Sequence, residues 1–248
     1  MNKKQKRWLF SLVLFMGLMQ ASTSYAMHIA EGFLPKTQAL IWFIISAPFI
    51  VVGMRSLIKV TREQPERKLL LALSGAFVFL LSSLKLPAMT GSCTHPTGVG
   101  LGTILFGPLP MFILGTITLI FQATLLAHGG LTTLGANAFS MAICGPICAW
   151  VLWKALRKAK VNEFVAVFIA ATIGDLFTYL ITSIQLGIAF PGDSFVVAVG
   201  KYMGVFMLTQ VPIAIMEGIL TVLVYNLSLI HISEPTRLHK VSRMPSSA

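Results

Sequence analysis

Long apolar runs separated by short basic clusters are the feature that most limits what this chain can fold into. Such runs occupy residues 39–54, 69–86, 111–127, 134–153, 164–190 and 195–225. The chain has 248 residues, of which 56% are hydrophobic and 11% charged, and its mean hydropathy is +0.82. A soluble domain cannot cover that much apolar surface, so the bilayer must be its solvent. We therefore predict an all-α, multi-pass bundle of membrane helices, because helices satisfy their own backbone hydrogen bonds in lipid.

The N-terminus predicts a cleaved signal peptide over residues 1–26. Residues 2–7 are basic, residues 8–19 form a short apolar stretch, and Ser24-Tyr25-Ala26 places small residues where a signal peptidase reads them. Cleavage after Ala26 would make Met27 the first residue of the mature protein. An uncleaved signal anchor is the alternative. In both cases the basic residues stay inside, which places Met27 on the outer face.

The basic clusters set the topology. The net charge of +11 comes largely from short groups between apolar runs, which are typical of cytoplasmic loops and not of nucleic-acid binding. Two groups should face the cytoplasm: Arg55, Lys59, Arg62, Arg67 and Lys68, and then Lys154, Arg157, Lys158 and Lys160.

An even number of crossings must separate these two groups. This requires a break at Gly107-Pro108, with a short segment at 99–106 and a full span at 111–127. The count is then about seven membrane segments after the signal peptide. It also places residues 91–98 on the same outer face as Met27.

Nitrogen atoms on that outer face predict a metal site. The amine of a mature Met27, the deprotonated amide of His28 and the Nδ1 atom of His28 close a five-membered and a six-membered chelate ring. Three nitrogens in one plane suit Ni(II) or Cu(II), and His95 is the expected fourth ligand. His128 is the runner-up, although a structural role is favoured for it. Polar residues expected to orient the ligands are Glu31, Gln122, His128 and Asn137.

Other chemistry receives less support from the sequence. There is no Gly-rich phosphate loop and no nucleophile motif, so we expect no enzyme activity, and nucleotide hydrolysis would have to come from another protein. A membrane enzyme using His95, His128 and Asp175 is one alternative. A small-molecule binding subunit without metal is another. Asp175, Lys201 and Glu217 fall near or inside spans, where structural and functional roles are both open.

Three long motifs resemble the CbiM/NikM family, the substrate-binding membrane subunits of energy-coupling-factor cobalt and nickel transporters. They are MHIAEGFLP at 27–35, KLPAMTGSCTHPTGVGLGTILFGP at 85–108 and FQATLLAHGGLTTLGANAFSMAICGP at 121–146. The resemblance covers residues 27–226. It implies metal binding by Met27, His28 and His95, with the N-terminus inserted from outside into a bundle of seven helices.

The resemblance also implies a cellular role. Partners would be a transmembrane coupling subunit, cytoplasmic ATPase subunits and a small two-span accessory subunit. The protein itself would be a multi-pass protein of the inner membrane. The Glu31-Gly32 variant is more similar to the cobalt branch, which would link the protein to cobalamin biosynthesis, with nickel as a close second. The transported ion would be the ligand, and no cofactor is expected. Because nitrogen sites favour nickel over cobalt, selectivity would have to come from geometry or metal availability.

Residues 227–248 are predicted to lie outside the membrane domain at 27–226. The stretch LSLIHISEPTR at 227–237 resembles read-through translation of a transposase adapter used in sequencing libraries. We therefore expect a polar tail that is not native. An ordinary cytoplasmic tail is the alternative.

Overall fold

The structure is a computed structural model that describes residues 25–26, 28–84, 86–87 and 92–233, with side chains described for 28–84 and 94–228. Met27 and most of the predicted signal peptide lie outside the described residues, as does the chain after residue 233. The predicted cut after Ala26 and the predicted Met27 ligand therefore stay predictions.

Seven helices make up most of the described chain. They are α1 (Lys36–Glu63), α2 (Lys68–Ser83), α3 (Val99–Phe106), α4 (Pro108–Leu125), α5 (Leu134–Lys158), α6 (Glu163–Ala189) and α7 (Phe195–Ser233). Five of them, all except α2 and α3, are long and apolar enough to cross a membrane. The prediction of an all-α, multi-pass membrane protein is confirmed. The count of seven membrane segments stays a prediction, because α2 has 16 residues and α3 only 8.

The break between α3 and α4 lies where the glycine and prolines predicted it. Gly107 has φ +84°, a left-handed conformation that a side chain would strain, and Pro108 begins the next helix. All of the first six residues of α3 are buried. A helix this short, surrounded by protein, fits the prediction that the segment does not cross a membrane alone.

Helices α1, α5 and α7 extend well past the C-terminal ends of their predicted apolar runs. Helix α1 continues through the basic cluster to Glu63, whose carboxyl group lies 3.9 Å from the Nζ atom of Lys59. Helix α7 continues to Ser233, past the predicted domain boundary at residue 226. An apolar run predicts only the part of a helix that lies in the hydrocarbon core of the membrane. Polar residues can extend the same helix into water. The origin of the tail stays a prediction.

Small residues allow the inner helices to approach closely. On α4, Gly115 faces Ala142 of α5, and a Cβ atom at position 115 would lie 2.8 Å from the Ala142 Cβ atom. In membranes, where lipid removes most of the hydrophobic driving force between helices, such close backbone contacts contribute much of the packing. The segment Ala138–Cys144 of α5 forms a π-helix at this contact.

The Gly115 contact gives a test of the packing. We expect Gly115→Ala to lower the apparent Tm in detergent by about 2–10 °C relative to Gly200→Ala, because the added methyl group overlaps Ala142. Both substitutions replace a glycine inside a helix, so both gain the same helix propensity. Only Gly115→Ala introduces a clash, because an added Cβ atom at position 200 on α7 has nothing within 4 Å. Equal Tm values would contradict this helix contact.

Candidate metal centre

A small sheet aligns the N-terminal segment with the loop that contains His95. Strand β1 (Tyr25–Ala26) pairs in parallel with β3 (Ser92–Thr94), and β2 (Leu86–Pro87) pairs antiparallel with the other edge of β3. In the parallel register Ala26 lies opposite Cys93. Two residues further along both chains, the same register places His28 beside His95.

Three histidines meet at the end of this sheet. The His28, His95 and His128 side chains are buried, with exposed fractions of 2%, 0% and 2%. Their ring centroids lie 4.7 to 4.9 Å apart. One nitrogen from each ring can be chosen so that all three lie within 4.8 Å of one another. The structure thus brings His28 and His95 together, as the topology predicted, and adds His128.

The backbone sets the proton position on His95. Its Nδ1 atom lies 2.9 Å from the carbonyl oxygen of Pro96, and a carbonyl can only accept a hydrogen bond. Nδ1 must therefore carry the hydrogen in this contact. In the neutral ring this leaves a lone pair on Nε2, which lies 3.3 Å from Nδ1 of His28.

The spacing of these nitrogens suits one shared ion. Nitrogens bound to a transition metal at about 2.0–2.1 Å lie roughly 3–4 Å from each other, depending on geometry. The 3.3 Å between His95 Nε2 and His28 Nδ1 falls in that range. A ring nitrogen of His128 lies within 4.8 Å of nitrogens of the other two rings, so His128 is a third candidate ligand. Imidazole nitrogens are ligands for cobalt, nickel, copper and zinc alike.

Asn137 holds the segment that carries His28. The backbone N–H of Ile29 donates to Oδ1 of Asn137 at 2.8 Å, and Nδ2 of Asn137 donates to the Ile29 carbonyl at 3.1 Å. The Thr133 hydroxyl donates to the same carbonyl at 2.6 Å. The predicted role of Asn137 in orienting the ligands matches this position. The sequence analysis did not single out Thr133. Its position one helical turn before Asn137 was the available signal that the two side chains share a face at the start of α5.

Glu31 lies at the exposed rim of the centre and not among the histidines. Its carboxyl oxygens accept the backbone N–H of Thr132 at 3.2 and 3.3 Å, and the hydroxyl of Thr132 accepts from Gly32 at 2.9 Å. Hydrogen bonding by Thr132 lowers the pKa of Glu31. The contacts indicate that Glu31 fastens residues 31–32 to the loop after α4.

Two glycines let the N-terminal segment lie directly on that loop. A Cβ atom at Gly130 would come within 2.5 Å of the Glu31 Cα atom. At Gly129, φ is +77° and a Cβ atom would lie 3.1 Å from the His28 Cβ atom. The Gly-Gly pair after His128 is therefore a packing requirement, which the sequence showed only as a turn signal.

Gln122 supports His128 through its backbone. Its carbonyl oxygen accepts the backbone N–H of His128 at 3.1 Å. Its side chain is fully buried, and neither amide atom has a hydrogen-bond partner among the described residues. Its side chain makes no described contact with the histidines, so the role predicted for it in orienting the ligands stays a prediction.

The charged residues predicted near the spans differ in environment. Asp175 and Glu217 are fully buried, and Lys201 is exposed. Glu217 accepts hydrogen bonds from Thr97, and Asp175 accepts one from Gln210. Sequence reasoning left the roles of both acids open and did not single out Gln210 or Tyr179, which also contacts the His95 loop.

Comparison with known proteins decides the family. Residues 28–232 match the family model CbiM, described as the cobalt uptake substrate-specific transmembrane region. The chain belongs to the CbiM family. It is 61% identical over 207 residues to the cobalt transport protein CbiM of Clostridioides difficile, covering 83% of each chain. It is 56% identical over 217 residues to that of Chlorobium limicola, covering 87% of this chain and 85% of the relative.

Solved structures agree with the fold. Two crystal structures of a transition metal transporter, one of them truncated, match with TM-scores of 0.72 and 0.71 at 25% identity. They cover 87% and 82% of this chain and 98% and 99% of their own. Members of the CbiM family are metal-transport components and not enzymes. This confirms the prediction that the chain is not an enzyme and its resemblance to the cobalt branch of the family.

The Asn137 contacts generate a local test. We expect Asn137→Ala to speed amide hydrogen exchange at Ile29 by about 5- to 100-fold, because the buried N–H loses its acceptor. Asn137→Asp keeps an acceptor for that N–H but cannot donate to the Ile29 carbonyl, so its effect should be intermediate. Exchange mass spectrometry of peptides covering residues 28–33 measures this.

A matched control lies one turn away. Ser140→Ala removes a hydroxyl whose hydrogen bonds, among the described residues, go to the Ala136 and Asn137 carbonyls within α5, and it should leave exchange at Ile29 unchanged. Unchanged exchange in Asn137→Ala would show that Asn137 does not hold the segment.

Proposed function

We propose that this protein is the substrate-binding membrane component of an energy-coupling-factor transporter that imports Co²⁺, with Ni²⁺ as a second substrate. The observation that carries the proposal is the buried cluster of His28, His95 and His128 in a CbiM-family membrane bundle. A nitrogen-rich, water-excluded site at the end of a bundle can strip a divalent ion of water and hold it for transfer. The names of the relatives, cobalt transport proteins, support cobalt as the first substrate.

The proposed ligands are the Met27 amine, the His28 amide nitrogen and Nδ1, and Nε2 of His95. The 3.3 Å between the two ring nitrogens supports their being neighbours in the coordination sphere. His128 is proposed as an additional ligand or as a hydrogen-bonding partner of the set, because its ring lies equally close to both other rings. A signal-peptidase cut after Ala26 is part of this proposal, since it frees the amine.

The proposed orientation places the histidines outside. The α1–α2 and α5–α6 connections carry the basic clusters, and the positive-inside rule assigns them to the cytoplasm. The histidine cluster lies away from these connections. Its members come before the start of α1, between the end of α2 and the start of α3, and after the end of α4. We therefore propose an inner-membrane protein whose mature N-terminus faces outward.

Energy for import would come from partners. The sequence holds no phosphate-binding loop, so cytoplasmic ATPase subunits, a transmembrane coupling subunit and a small two-span accessory subunit are proposed from the family resemblance. A role in supplying cobalt for cobalamin biosynthesis follows from the same resemblance.

A substrate other than a metal ion is the remaining alternative. It would use the same bundle without the histidine ligands. Metal retention therefore separates the two functions.

Ligand substitution tests the proposal. We expect His95→Ala and His28→Ala each to raise the Kd for Co²⁺ by about tenfold or more, because each removes a nitrogen ligand. A tenfold change corresponds to about 1.4 kcal/mol of binding free energy. Equilibrium dialysis of the purified protein, followed by elemental analysis, measures retention. His128→Ala should have a smaller effect. Full Co²⁺ and Ni²⁺ retention in His95→Ala would overturn the metal function.

Two controls accompany these variants. His239→Ala removes a histidine beyond the region matched by the family model, which ends at residue 232, and should retain cobalt fully. Intact mass determination should show a chain that starts at Met27. If the chain keeps residues 1–26, Met27 has no free amine and cannot supply that ligand. The histidine variants would still test the rest of the proposed metal site.

Metal competition tests the ligand chemistry. With equal Co²⁺ and Ni²⁺ at equilibrium, we expect the isolated protein to retain more nickel, because an all-nitrogen site follows the Irving–Williams order. Elemental analysis after dialysis gives the ratio directly. An excess of cobalt would contradict the planar nitrogen set.

A further inference from the structure

We propose that Tyr179, Gln210 and Glu217 form a buried frame that positions the His95 loop and so sets the metal affinity and coordination geometry of the site. This inference rests on the proposed function, because it assumes that His95 binds the ion. The three are positioning residues: they act on the backbone around His95 and not on the metal itself.

Tyr179 binds both backbone groups of His95. Its hydroxyl donates to the His95 carbonyl at 3.0 Å and lies 3.5 Å from the His95 backbone N–H, which donates to it weakly. The Tyr179 ring is fully buried and packs against Phe206 of α7. One rigid side chain on α6 thereby fixes the peptide units on both sides of a ligand.

Gln210 adds a second contact from α7. Its Nε2 atom donates to the His95 carbonyl at 3.3 Å and also to the carboxyl group of Asp175 on α6. Asp175 and Tyr179 are four residues apart and lie on one face of α6. The carbonyl of His95 therefore has two donors, and both donor side chains are fully buried.

Glu217 fixes the loop two residues further on. Its carboxyl oxygens accept the Thr97 backbone N–H at 2.5 Å and the Thr97 hydroxyl at 3.1 and 3.2 Å. Gln210 and Glu217 are seven residues apart, two helical turns, so one face of α7 contacts both ends of the segment 95–97.

The loop depends on these contacts because its backbone is irregular and buried. Residues 94–98 have no helix of their own, and Gly98 begins the turn into α3 with φ +72°. Backbone groups that are buried away from water must find their hydrogen bonds in the surrounding protein. The Pro96 carbonyl that sets the His95 ring proton belongs to the same segment, so a shift of the loop would move the ligand nitrogen and disturb its proton position.

Affinity and spectroscopy of bound Co²⁺ test the frame. We expect Tyr179→Phe to weaken Co²⁺ binding by about 10- to 100-fold, the usual cost of losing a group that orients a metal ligand. At saturating metal, the visible d–d absorption of the variant should differ from that of the wild type, because the coordination geometry has changed. Loss of fold stability alone would leave that spectrum unchanged.

Conservative and disruptive variants separate positioning from folding. Glu217→Gln keeps an oxygen acceptor for the Thr97 N–H and should retain most of the affinity, whereas Glu217→Leu should not. If Glu217→Leu fails to fold, Tyr179→Phe and Glu217→Gln still carry the test. Tyr202→Phe is the matched control, since it removes a hydroxyl from the partly buried Tyr202 ring on α7 that packs beside the core cluster.

The outcomes distinguish this inference from the function on which it rests. Cobalt retention by His95→Ala would overturn the metal function and the frame together. Loss of cobalt in His95→Ala, with wild-type affinity and spectrum in Tyr179→Phe and in Glu217→Leu if that variant folds, would overturn the frame alone.

Discussion

Irregular backbone inside a membrane bundle must find its hydrogen bonds within the protein, and this constraint governs the metal centre. The three histidines lie in irregular segments, before α1, before α3 and after α4. The helices around them carry polar side chains that satisfy these segments, with Asn137 on α5 binding Ile29 and Glu217 on α7 binding Thr97. The same contacts that satisfy these buried backbone groups also hold the segments that carry the imidazoles.

Much of the fold could be predicted from the sequence because lipid imposes simple rules on composition. The apolar runs located the long helices, and the charge rule located the break at Gly107. Helix ends were less accessible, as in α1, where polar residues such as Lys59 and Glu63 extend the helix past the apolar run. The π-helical segment Ala138–Cys144 gave no signal in the sequence, since its residues would equally suit an α-helix.

The site could be predicted only in part. Topology predicted His28 and His95 on one face, and chelate-ring size ranked their nitrogens above that of His128. The position of His128 beside both other rings depends on how the loop after α4 folds, which the sequence did not reveal. The contacts of Tyr179 and Gln210 with His95 join residues 84 and 115 positions apart. A buried polar residue on a helix can be read from periodicity, whereas the loop that it contacts depends on how the helices assemble.

The pairing of Tyr25 and Ala26 with the His95 loop has a consequence for biogenesis. These residues belong to the predicted leader, so the predicted cut after Ala26 would discard the segment that aligns His28 with His95. A cut after Ala26 would release this guide once the bundle has closed around residue 29. From then on the contacts of Asn137, Thr133 and Thr132 with residues 29–32 would keep the new N-terminus in the bundle, and the timing of proteolysis relative to folding would decide whether the site forms.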